Sequence, residues 1–221
     1  MHFEILVEDL SGKIALEAIV PKILGPNHPH SFSIHPYKGV GRVPKDLRAT
    51  TEPRKRILLD QLPRILRGYG KGLLPRDDNA VIVIVDSDRK KCGDFKAELL
   101  SVLNQCHPAP RVLFRIAIEE MEAWLLGDRD AVLAAYPGAK HQPLDGYVQD
   151  SICGTWEVLA DAVFSGGHAA LKKDGYPRIG QAKCKWAADI APRLNIQNNL
   201  SHSLKVFREA FSKLGGGCDT L

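Results

Sequence analysis

The run Ala80-Val81-Ile82-Val83-Ile84-Val85 leads directly into Asp86-Ser87-Asp88-Arg89. An unbroken stretch of apolar, mostly β-branched residues of this length suits a strand buried on both faces, as inside a parallel sheet. If the strand continues through its acidic end, the two-residue period puts Asp86 and Asp88 on one face and Ser87 on the other. Two carboxylates so placed repel, so either one takes up a proton or a cation sits between them. Hard oxygen donors favour Mg²⁺ or Mn²⁺ there. A polar turn that merely ends a buried strand is the plainer reading, and the neighbouring elements have to discriminate.

Phe3–Val7 reads as a first strand ending in Glu8-Asp9, with a helix opening at Ser11-Gly12 that Pro21 ends or kinks. Ser31–His35 is a second strand, followed by the glycine-bearing loop Tyr37-Lys38-Gly39-Val40-Gly41-Arg42. Pro53 suits the first position of a helix whose stripe is Ile57, Leu58, Leu62, Ile65 and Leu66. A helix over residues 93–104 follows the acidic strand. Val112–Ile118 is the fourth strand, and Glu119-Glu120-Met121-Glu122-Ala123-Trp124-Leu125-Leu126 turns directly into a helix. Strands alternating with helices give an α/β domain over residues 1–128, an open parallel four-stranded sheet flanked by helices. Residues 129–221 carry mainly helical patterns, including the stripe Leu204, Phe207, Phe211, Leu214, and read as a C-terminal helical extension.

In open parallel sheets ligands bind at the carboxyl ends of the strands. Three of the four expected strands end there in acid: Glu8-Asp9, then Asp86 and Asp88, then Glu119-Glu120 and Glu122. Convergent carboxylates need a counter-charge, which strengthens the metal reading. Glu119 and Glu122 share a face if the helix has begun, Glu120 and Glu122 if the strand persists. Trp124 reads as core rather than a stacking platform.

Between Pro36 and Arg76 there are eleven basic residues against three acidic ones. Within that excess Lys38, Arg42, Lys45, Arg48, Arg54, Lys55 and Arg56 form a segment suited to phosphates, or simply a solvated face. The five scattered cysteines include no CxxC pair and indicate neither a disulfide framework nor a zinc knuckle. No apolar run reaches the length of a membrane span and no basic-then-apolar leader opens the chain, so a cytoplasmic protein is expected. The histidines show no metal-ligand spacing, and no GxSxG elbow supports a serine nucleophile.

ILVEDLSGKIALE, then VIVIVDSDR, then a further acidic element resembles the Toprim domain of topoisomerases, primases and OLD-family nucleases. DSDRKKCGDFKAELL with IAIEEMEAWLLGD and a late lysine-bearing helix resembles, more closely, a family of small Toprim-like bacterial proteins often paired with an ABC-type ATPase. The resemblance matches Glu8 to the Toprim glutamate, and Asp86 and Asp88 to its DxD. It implies a Mg²⁺- or Mn²⁺-dependent nuclease that acts on nucleic acid in bacterial defence, with an ABC-type ATPase as partner. Asp9 stands where Toprim domains usually carry glycine, and a side chain there narrows the approach of a phosphate. On this reading Glu8, Asp86 and Asp88 hold one metal ion, and Glu119, Glu120 or Glu122 helps hold a second. Lys183 or Lys185 balances the phosphate charge, and the Lys38–Arg56 segment tracks the nucleic-acid backbone. A second copy of the chain is a further candidate partner. Two other classes compete: a DxD nucleotide-sugar glycosyltransferase, and a non-catalytic partner subunit of an ATPase that keeps its acids for folding.

Overall fold

The computed structural model describes residues 1–44, 52–72 and 78–216. The chain divides into two compact units, Met1–Lys13 with Asn27–Ile116, and Ile14–Pro26 with Ala117–Leu221. The second unit thus combines residues 14–26 with everything from residue 117 onward.

Four parallel strands, β1 (His2–Val7), β2 (Ser31–Pro36), β3 (Asn79–Asp86) and β4 (Val112–Ala117), form one sheet in the order β2-β1-β3-β4. The expected α/β fold with an open parallel sheet is therefore present. In register, Ile5 lies beside Ile34 and Ile82, and Leu6 beside Val83. β3 is central, and Ala80 to Val85 are all at most 1% exposed, which is why its sequence shows no polar alternation. Leu6, Val81, Val83 and Val85 face the helices α2 (Leu58–Gly72) and α3 (Cys92–Asn104), meeting Leu58, Leu62, Phe95 and Leu99 in one core.

Three local expectations change. β3 ends at Asp86, and Asp88 lies in a turn with φ +48°, closed by the Lys90 N–H to the Ser87 carbonyl. The two-residue period therefore does not extend to Asp88. Pro53 opens only the short 3₁₀ turn Pro53–Lys55, because Arg56 at φ +53° reverses the chain before α2 begins. The helix α1 (Leu10–Leu24) runs through Pro21 and stops at Gly25, whose φ of +85° and N–H to the Pro21 carbonyl form a left-handed cap.

The loop after β2 straps β1 to the start of α2. Tyr37 and Gly39 donate N–H groups to the Val7 and Glu8 carbonyls, and the Gly39 and Val40 carbonyls accept from Leu58 and Leu59. Those two amides open α2 and have no partner within the helix, so the loop backbone caps it. Gly41 (φ +71°) is required here, because a Cβ would lie 2.2 Å from Ile57 and 2.5 Å from the Asp60 carboxylate.

In the second unit α4 (Glu122–Leu126), α5 (Arg129–Ala135), α6 (His141–Gly146), α7 (Thr155–Val163), α8 (Gly167–Asp174), α9 (Tyr176–Ile190) and α10 (His202–Leu214) follow one another. Trp124 is fully buried, stacks on Phe207 at 5.4 Å and donates its indole N–H to Ser203 Oγ at 2.8 Å. Phe207 stacks in turn on Phe211. Trp124 is thus a core residue. Among the described residues no helix is long and apolar enough to cross a membrane.

Candidate functional site

β1 and β3 are adjacent central strands. The chain leaves β1 towards β2 on one side and reaches β3 on the other, so their carboxyl ends mark the switch point of the sheet. Glu8, one residue past β1, turns its side chain across this end, and its Oε1 accepts the Asp86 backbone N–H at 2.6 Å. The two acids are therefore brought together by a main-chain contact. Asp88 is exposed in the following turn. Among the described residues no three His, Cys, Asp or Glu side chains form a group that would by itself hold a metal ion. Glu8 and Asp86 are thus brought together at the strand ends, while Asp88 stands in the turn that follows, outside the strand alternation.

Asp9 has a different task. Its carboxylate accepts the Gly12 N–H at 2.8 Å and the Ser11 hydroxyl at 2.9 Å, which makes it the N-cap of α1. The side chain at this turn is thereby held against the helix start. Gly39 carries Lys38, which is exposed, next to Glu8 through its N–H on the Glu8 carbonyl at 2.9 Å.

The other basic candidates in the first unit are distributed around the loop and the start of α2. Arg42 donates its N–H to Asp60 Oδ1 at 2.8 Å, and its side chain is exposed. Arg54 pairs with Glu52 at 2.5 Å on the surface, and Lys55 is exposed. Arg56 donates to the Pro36 carbonyl at 2.6 Å and lies over the Tyr37 ring. Lys45 and Arg48 lie outside the described residues.

The acids after β4 belong to the second unit. Glu119, at φ +57°, precedes α4 rather than joining it. Its carboxylate accepts the N–H groups of Cys153, Gly154 and Thr155 at 2.9–3.2 Å and the Thr155 hydroxyl, and Glu120 accepts the Trp156 N–H at 3.2 Å. Two successive glutamates thus cap α7, whose own N-cap residue is glycine. Burial acts to raise the Glu119 pKa, but the Thr155 hydroxyl and the three N–H groups outweigh it and hold the carboxyl below its ordinary value. The geometry left the sequence no signal, since the glutamates and α7 are some 35 residues apart.

Lys183, on α9, reaches Glu122 at 3.2 Å and Glu120 at 3.5 Å, with little of its side chain exposed. Burial raises the Glu120 carboxyl, the Lys183 ammonium lowers it and Glu122 raises it again, leaving it at about 7. Lys183 is therefore the cation that Glu120 and Glu122 face. Lys185 pairs with Asp189 one turn on, at 2.8 Å, on the surface.

Glu119→Gln keeps the shape of the cap and removes its charge. The loss expected is about 0.5–2 kcal/mol, the usual cost of a helix N-cap. A carboxyl whose folded pKa is lowered contributes stability above its ordinary pKa, lost as pH falls through the folded value. The difference between variant and wild type should therefore be present at pH 7 and vanish in acid. Urea unfolding from pH 3 to 7 measures it. Trp124, Trp156 and Trp186, the three tryptophans of the chain, all lie in this unit and report its unfolding by fluorescence.

No curated protein and no solved structure matches the chain. A family model described as a domain of unknown function, DUF4276, matches residues 7–214 of the 221. That span includes Glu8, Asp86 and the whole carboxylate–lysine cluster of the second unit, and the chain belongs to this family.

Proposed function

We propose that the chain is a metal-dependent phosphodiesterase of Toprim type that acts on nucleic acid at the carboxyl ends of β1 and β3. The observation that carries this reading is the pairing of Glu8 with Asp86 at the switch point of the sheet, 2.6 Å from side-chain oxygen to backbone nitrogen. Mg²⁺ commonly takes one or two protein carboxylates and completes its octahedron with waters and substrate phosphate oxygens, so two carboxylates of hard oxygen fit the ion. When bound it would neutralise the phosphate and lower the pKa of an attacking water.

The remaining work falls to the chain. Glu8 and Asp86 hold the negative charge that the cation needs, and the Asp86 N–H fixes the Glu8 rotamer. Lys38 offers an ammonium to the approaching backbone. Asp9 is kept away from that approach by its cap on α1. Arg42, Lys55 and Arg56 add sequence-independent, salt-sensitive attraction.

The test is hydrolysis of labelled single-stranded and duplex DNA and RNA by the purified chain with Mg²⁺ or Mn²⁺ against EDTA. Cleavage is expected with either metal and none with EDTA. Metal-independent cleavage, or none with any substrate, would overturn the reading. A non-catalytic role beside an ABC-type ATPase is favoured by one observation, the use of Glu119, Glu120 and Glu122 in capping and ion pairing. It predicts that Asp86→Asn leaves the cellular phenotype unchanged, whereas surface substitutions on the helices of the second unit abolish it.

A further inference from the structure

A cleft of about 540 Å³ opens in the first unit between α2 and the chain that follows β2, a size usual for small-molecule sites. One wall is the stripe Gln61, Arg64, Gly68 and Tyr69 on one side of α2, and the other carries Tyr37 and Arg56. Tyr37 is tied to β1 by its N–H on the Val7 carbonyl, and the Tyr69 hydroxyl lies 3.5 Å from Glu4 Oε2. Glu4 is itself engaged by His35 at 2.5 Å and His2 at 3.3 Å.

The two charged side chains that line the cleft, Arg56 and Arg64, are both cationic. Arg56 sits 5.7 Å from the Tyr37 ring centre, and Arg64 is exposed on α2. Among the described residues no carboxylate pairs with either guanidinium. Burial raises both phenols above their ordinary pKa, so the rings stay neutral. Gly68 leaves the wall open, with no atom within 4 Å of where a Cβ would stand. Two neutral aromatic rings beside two cations suit a flat, anionic ligand. An acidic peptide would leave the rings unused, and an apolar ligand would leave the guanidiniums unused.

We propose that this cleft takes one unpaired nucleotide of a single strand, its base against Tyr37 and Tyr69 and its phosphate on Arg56 and Arg64. A duplex hides its base faces within the stack and cannot enter in this way, whereas a stacked base binds largely irrespective of sequence. The inference rests on the nucleic-acid reading for its class of substrate. It needs neither the metal nor the Glu8–Asp86 pair.

The test is fluorescence anisotropy with the full chain in EDTA, using three labelled probes: an oligodeoxythymidylate, a base-free strand of the same length, and a duplex. The oligodeoxythymidylate should bind about tenfold more tightly than the other two, the scale of a stacked base. Gly68→Leu fills the cleft at a position with room for a side chain, in a residue that favours helix more than glycine. It should remove that preference, with the circular dichroism spectrum unchanged. Arg64→Ala should weaken binding of the oligodeoxythymidylate and lower its salt slope by about one. Equal binding of the three probes, or an undiminished preference in Gly68→Leu, would overturn the cleft. A preference for the single strand without any cleavage in Mg²⁺ would sink the phosphodiesterase and leave the cleft standing. Cleavage without the preference would do the reverse.

Discussion

Asp86→Asn should lower metal-dependent cleavage about 10³-fold with the fold intact, a loss of about 4 kcal/mol at 1.36 kcal/mol per tenfold. Asparagine has the same size, and the contact joining β3 to β1 uses the Asp86 backbone N–H, which the substitution keeps. What disappears is one of the two negative charges at the end of the sheet. In EDTA the variant should therefore melt no lower than wild type, because a like charge beside Glu8 has been removed. Mg²⁺ separates the two proteins. A ligand bound only by the folded state stabilises it by about 2.7 kcal/mol at 100 times its Kd, so wild type should gain stability and the variant should not. Circular dichroism melts with and without Mg²⁺, beside a cleavage assay, read both effects. A variant that cleaves like wild type, or gains as much from Mg²⁺, would move the reaction away from Glu8 and Asp86.

The acid-tipped strand was legible in the sequence because burial on both faces forces an unbroken apolar run, and Val81–Val85 obeys that demand. The end of the strand was not. Whether Asp88 continues the alternation depends on its φ, and Asp is among the residues that tolerate the left-handed region, so its identity permits either course. Pro53 misled for a similar reason: it does open a helical turn, but Arg56 reverses the chain three residues later. Glu8 was readable as the end of a strand. Its hold on the Asp86 N–H was not, because that follows from β1 and β3 being neighbours across 78 residues. The late lysine is the sharpest case. Lys183 in sequence is one charge on a helix, and only the packing of α4 with α9 makes it the counter-ion of Glu120 and Glu122. The same holds for the cleft, whose rings come from Tyr37 after β2 and Tyr69 near the end of α2. Period and composition locate elements, whereas ion pairs and pockets are made by contacts between elements.

Lys183→Met should destabilise the second unit by about 3–5 kcal/mol at pH 8, the usual result of stripping a buried ion pair of one partner. Methionine fills much of the space that the lysine stem occupies, so the loss is chiefly electrostatic. Glu122 is 6% exposed at its side chain and Glu120 20%. Glu157 adds a further negative influence on Glu120, and the Trp156 N–H alone would not balance them. The pH dependence gives the sign. Glu120 titrates at about 7 in the folded protein against an ordinary 4.5, so between those values the folded state holds the proton more firmly than the unfolded one. Its contribution is therefore most favourable below pH 4.5 and is lost as pH rises towards 7. Without Lys183 the carboxyl titrates higher still, and at pH 5 it simply takes a proton. The cost of the substitution should accordingly shrink at pH 5, and Lys183→Met with Glu120→Gln should recover most of the loss at pH 8. Urea unfolding followed by the fluorescence of Trp124, Trp156 and Trp186 measures each variant at both pH values. A loss of the same size at pH 5 and pH 8 would mean that Lys183 supports this unit through the packing of its stem, with Glu120 and Glu122 balanced by something else.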